Sequence, residues 1–189
     1  MTLKDTLVPT YMQMLKALSV WIDKAETQLG ADQAADLMSA RLAPDMFPLF
    51  TQICFSCVQA QEGVFRLRQE PFPESLATLL NEGRGAGEQR WSIADAQARI
   101  ADTLALVEKA SADMADLPRE TPVAHSLPNG MVFDLSAAQY VRDWAIPQLF
   151  FHVMAAYAIM RAQGVNLGKG DYVAHMFAYL RPGTMPAPA

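Results

Sequence analysis

The chain has 189 residues, 51% of them hydrophobic, and a formal net charge of −5 at pH 7; its mean hydropathy is +0.07 and its pI near 5.1. So apolar a chain is not disordered, and its acidity denies it the basic surface that nucleic acid or an anionic membrane requires, so neither partner is expected. Lys4 and Asp5 make the N-terminus too polar for a signal peptide, and no apolar run reaches the roughly 20 residues of a membrane span, which makes the cytoplasm the expected compartment.

Leu7, Tyr11, Met14, Leu15, Leu18, Ile22, Ala25 and Leu29 recur at helical spacing before Gly30, which predicts a first helix over about 4–29. A short helical connector over 32–40 leads to Pro44 and Pro48, tolerable only near a first turn, and a second helix should run from about Pro48 to Arg68. Residues 70–91 read as a long loop with at most a brief helix over 73–80, and Gly83, Gly85 and Gly87 read as loop flexibility because their spacing does not suit a phosphate-binding turn. Ser92 with Asp95 resembles a capping box opening a third helix over 93–115. From Thr121 to Leu135 the period becomes two around Pro128-Asn129-Gly130, a hairpin whose Val123, His125, Leu127, Met131, Phe133 and Leu135 share a face. Ser136 with Gln139 caps a fourth helix that Pro147 should kink and Gly164 should end, and Asp171 can cap a last short helix to about Leu180. The expected fold is all-α: a four-helix bundle with a long crossover, a small hairpin between the third and fourth helices and a short C-terminal helix. It forms a single domain over residues 1–180, with a flexible tail over 181–189.

Leu15 to Leu29, Ala40 to Leu49, Ala98 to Ala101, and Phe151 to Lys169 with Asp171 and Tyr172 resemble a bacterial family known as domain of unknown function number nineteen ninety-three. That family is similar to the DinB-like and YfiT-like helical bundles, so the resemblance implies a DinB-like bundle and a homodimer. It also implies, for many members, a divalent metal held by one histidine from the second helix and two histidines one turn apart on the last bundle helix. Here the second helix has no histidine, and Gln148 and Ala156 stand one turn either side of His152, so no metal site is expected. The resemblance further implies an acidic residue and a lysine on the second helix, where this chain has Val58 and Gln61.

His152 stands on a helix that is apolar nearly all round, which predicts a buried, hydrogen-bonded ring. His125 and His175 are expected to lie away from it. Cys54 and Cys57, too few for a disulfide scaffold, have the spacing of a redox or zinc half-site, but their apolar helical surroundings would raise thiol pKa, so they read as core residues. A polar and aromatic ring of Tyr140, Asp143, Trp144, Tyr157 and Arg161 around His152 is the candidate ligand pocket. The expected function is a homodimeric helical-bundle protein that binds a small molecule without a cofactor; the alternative is a metal-dependent hydrolase or thiol transferase of the DinB-like kind. Val8, Tyr11, Met12 and Trp21 on the first helix, with the fourth helix, are the apolar surface expected to pair two copies.

Overall fold

The computed structural model describes residues 1–185, without the side chains of residues 31 and 32; part of the expected tail, 186–189, lies outside the described residues. Four long helices carry the fold: α1 (Leu3–Gln28), α3 (Leu49–Arg68), α5 (Ile93–Ala112) and α7 (Ile146–Ala162). α3 packs against α1, α5 and α7, and α1 also touches α5 and α7. One continuous core joins them and includes Leu7, Leu15, Leu18 and Ile22 of α1, Phe50, Ile53 and Val64 of α3, and Val153, Ile159 and Met160 of α7.

The ends of these helices are where local chemistry puts them. Thr2 Oγ1 accepts from Asp5 N–H at 2.9 Å while Asp5 returns a bond to Thr2 N–H, and Ser92 with Asp95 repeats the arrangement at α5. Each such box satisfies two amides that the first turn leaves open. α3 ends as Gln69 enters the left-handed region at φ 56°, its N–H bonding to Phe65 and Arg66 carbonyls. The connector forms α2 (Ala31–Asp36) and a 3-10 turn over Leu37–Ser39.

The crossover differs from its expected form. α4 (Glu74–Arg84) has eleven residues and packs along α3, because Leu76 and Leu79 give it a buried face. Gly83 is a packing residue rather than a flexible one: Thr51 Oγ1 donates to its carbonyl at 2.7 Å, and a Cβ there would stand 2.7 Å from the Phe55 ring. β1 (Pro122–Ser126) pairs antiparallel with β2 (Val132–Ser136), with Val123 opposite Leu135 and His125 opposite Phe133. The shared face is covered at Val123 and His125, whereas Met131 and Phe133 remain exposed.

After a single capped turn, α6 (Ala137–Gln139), the chain runs as π-helix over Tyr140–Ala145 before α7. Pro147 lacks the N–H that would continue the α pattern to Asp143, and the preceding Ile146 N–H reaches Val141 O instead, one residue further back. The expected kink is thus a wider turn that places Tyr140 and Trp144 on one side. The chain ends in α8 (Lys169–Tyr172) and a 3-10 segment over Ala174–Tyr179. Asp171 lies inside α8 rather than at its cap, accepting from Gly168 N–H at 2.7 Å and pairing with Lys24 at 2.9 Å.

Trp21 and Tyr11 do not form leftover surface; both are fully buried. Trp21 lies against Tyr157 and Tyr172 at 5.4 and 6.1 Å and donates to Asp171 O at 3.3 Å, because the C-terminal segment folds back over α1. No helix among the described residues is long and apolar enough to cross a membrane.

Gly63 tests how tightly α1 and α3 meet: a Cβ there would stand 2.3 Å from the Tyr11 hydroxyl, on a ring with no room to retreat. Gly63→Ala should therefore lower stability by about 1–3 kcal/mol in urea unfolding, outweighing the gain in helix propensity of up to about 1 kcal/mol.

Candidate functional site

A cleft of about 440 Å³ opens between α3, α4, the hairpin and the start of the last bundle helix. α3 contributes Phe55, Val58, Gln59, Glu62 and Arg66, a stripe at helical spacing; α4 contributes Leu76, Leu80 and Arg84 at intervals of one turn. The far wall is His125 to Pro128 of the hairpin with Trp144 and His152. The lining is mostly apolar and aromatic with a few polar groups, the composition of a small-molecule site.

At one end stands His152, buried between Phe55 and Phe151, whose rings meet it edge-on at 5.3 and 5.2 Å. Its Nδ1 lies 2.9 Å from Gln52 Oε1 on α3. Burial pushes its pKa down from the usual 6.5 to about 4, so the ring is neutral near pH 7.

At the other end Glu62 Oε1 lies 3.3 Å from Arg66 Nη2 and 3.4 Å from His125 Nδ1. The second distance is too long for a good hydrogen bond, and neither His125 nitrogen has a hydrogen-bond partner within the described chain. His125 lies against Trp144 at 4.3 Å and Tyr140 at 5.6 Å, the rings tilted to it by 51° and 52°. Arg66 lies over the Phe72 ring at 4.8 Å and reaches Ala124 O. Around this end Gln59 Oε1, Arg66 Nε, Trp144 Nε1 and the Tyr140 hydroxyl are likewise buried without a partner among the described residues. A buried polar atom left unpaired costs about 1–3 kcal/mol, and several such atoms cluster beside this cleft.

Of the residues singled out from the sequence, His152 and Trp144 line this cleft and Tyr140 lies buried behind it, against His125. Asp143 is exposed and paired with Arg142 at 2.6 Å. Tyr157 packs on Trp21, and Arg161 donates to Leu167 O, so neither belongs to a ring around His152. Both stand on α7 beyond His152, about 140° and 180° around a regular helix from it, so they face other elements. His125 does come to the same cleft as His152, contrary to expectation, carried there by the hairpin; His175 lies against α1. Phe55, Gln59, Glu62 and Arg66 were missed although they share one helical face; the signal available was a Glu62–Arg66 pair one turn apart on an otherwise buried helix.

Cys54 and Cys57 face away from the cleft residues that could join them. Cys54 lies against Gly83, and Cys57 Sγ donates to Arg99 O at 3.6 Å. Burial pushes the Cys57 thiol up to about 12 and that of Cys54 higher still. A three-histidine divalent-metal set does not fit the residues present: His152 faces the amide of Gln52 across the helices, and among the described residues no three His, Cys, Asp or Glu side chains group as metal ligands.

The bundle, its hairpin and its crossover define a DinB-like helical protein. The sequence profile of the family described as domain of unknown function (DUF1993) matches residues 3–173, and the chain belongs to that family. A crystal structure of a DinB family member protein from Shewanella denitrificans is similar at 30% identity, with a TM-score of 0.72 over 99% of this chain and 95% of that one. No curated protein matches.

The buried His152 sets an acid limit. The unfolded chain binds the His152 proton below pH 6.5 and the folded chain only below about 4, so stability rises with pH across that window and is lost on acidification. Between pH 7 and pH 5 the native protein should lose about 2 kcal/mol more in urea unfolding than His152→Gln, which keeps an amide facing Gln52 and has nothing to titrate.

Proposed function

We propose that this protein binds a small organic molecule in the cleft between α3, α4 and the hairpin, and that it works as a homodimer. The observation that carries the first part is the coincidence of an apolar, aromatic-walled cleft with buried polar atoms that have no partner in the described chain: Gln59 Oε1, Arg66 Nε, Trp144 Nε1 and both nitrogens of His125. The carboxylate of Glu62 and the guanidinium of Arg66 offset each other, so a guest meets little net charge at that end. A metal-dependent hydrolase or thiol transferase gains no support from this donor set, in which one histidine faces a glutamine and the cysteines face other helices.

The dimer reading rests on α7. Pro147, Phe151, Met154 and Ala158 lie along one side at intervals of three and four residues, with Phe151 63% and Met154 40% exposed. Such a stripe on a helix whose other sides are buried is best covered by the same stripe of a second copy about a twofold axis.

Naphthalene serves as a probe of the cleft. Ligand-observed NMR should detect its binding to the native protein and lose it in Ser126→Trp, where a bulky side chain on an exposed rim position obstructs the entrance; equal binding by both would place the probe elsewhere. Light scattering at micromolar concentration should report twice the 20.8 kDa chain mass, and Phe151→Glu should shift it toward the monomer. A monomeric native mass would remove the dimer.

A further inference from the structure

The amide of Gln52 is held at both of its polar atoms. Nε2 donates to Phe47 O at 3.3 Å, which leaves Oε1 as the atom that meets His152 Nδ1 at 2.9 Å. An amide oxygen only accepts, so the shared proton sits on Nδ1 of the imidazole. In a neutral ring the other nitrogen is then an unprotonated lone pair. Burial keeps the ring neutral near pH 7. Nε2 takes no partner among the described residues, and His152 lines the cleft, with Phe55 and Phe151 edge-on to the ring.

This end of the cleft therefore offers one oriented acceptor among Phe47, Phe55, Val58 and Leu80, with the exposed Arg84 at its rim. A carboxylate or phosphate would bring lone pairs against a lone pair, and protonating His152 to relieve the conflict works against its burial. An ammonium can donate to Nε2, but it would have to leave water for an uncharged partner, since the carboxylate of Glu62 is engaged by Arg66. An uncharged donor satisfies the nitrogen without either cost, and a hydroxyl is the smallest.

We propose that the ligand of this cleft is an uncharged, compact apolar molecule carrying a hydroxyl group, a phenol or an alcohol, whose O–H donates to His152 Nε2 while Gln52 positions the ring. The inference rests on the ligand-binding reading of the same cleft. Gln52 acts here as a positioning residue and need not touch the guest.

The test compares four probes of one shape at pH 7 by calorimetry or NMR titration: naphthalene, 2-naphthol, 2-naphthoate and 2-naphthylmethylamine. The native protein should bind 2-naphthol up to about tenfold more tightly than naphthalene, the gain of one hydrogen bond, and both ionic probes more weakly than 2-naphthol. His152→Phe should still bind naphthalene and lose the preference for 2-naphthol. Gln52→Leu should reduce that preference, and Gln52→Glu, whose carboxylate would favour a protonated imidazole with Nε2–H as a donor, should abolish it. Equal affinity for naphthalene and 2-naphthol in the native protein, or tighter binding of 2-naphthoate, overturns the inference while leaving the ligand-binding reading intact. Failure of every probe to bind removes both. The comparison on native protein decides the matter even if a variant folds poorly.

Discussion

α3 is enclosed by other parts of the protein on nearly every side, and the rest of the structure follows from the need to satisfy the polar groups it carries into that enclosure. Burying a hydroxyl or an amide without a partner costs more than most single apolar contacts return. Thr51 meets this need through the carbonyl of Gly83, which ties α4 to the bundle. Ser56 bonds back to Gln52 O within the helix, and Gln61 joins Thr103 of α5 at 3.0 Å and Ser75 of α4 at 2.8 Å. Gln52 takes His152 of α7. The bonds of Thr51, Gln61 and Gln52 each fix a neighbouring element against α3, so polar residues on a buried helix set positions that apolar packing alone would leave adjustable.

Satisfaction stops along the stripe of α3 that faces the cleft. Gln59 and Arg66 retain unpartnered atoms there, and the hairpin and π turn bring further ones in His125, Trp144 and Tyr140. The two ends of the cleft are chemically different. One holds a compensated Glu62–Arg66 pair beside His125; the other holds a neutral imidazole whose proton is placed by Gln52. The π turn links this site to the backbone economics of α7, since Pro147 removes a donor and the wider turn that results carries Tyr140 and Trp144 toward His125. In a DinB-like bundle this construction leaves a cleft suited to hydrogen bonding rather than to a three-histidine metal set.

The long helices were legible because their signals are local. The apolar spacing of Leu7 to Ala25, the boxes at Ser92 and Ser136, and the turn at Asn129-Gly130 each act over a few residues, and the corresponding elements occur where those signals stand. α4 was underestimated because Gly83 and Gly85 look like loop chemistry; only the approach of Phe55 shows that one of them makes room for packing. Asp143, Tyr157 and Arg161, expected around His152, have partners elsewhere: Asp143 pairs with Arg142, Tyr157 packs on Trp21 and Arg161 bonds Leu167 O.

By itself, the sequence determined the number and extent of the main helices, the hairpin and the buried character of His152, since periodicity, capping and composition are written residue by residue. Tertiary structure decided which polar residues meet. Nothing in the spacing of Gln52 and His152, a hundred residues apart, or of Glu62 and His125, announces that they face each other. Those pairings depend on how four helices and a hairpin settle around α3, and long-range packing of that kind leaves no local pattern in the chain.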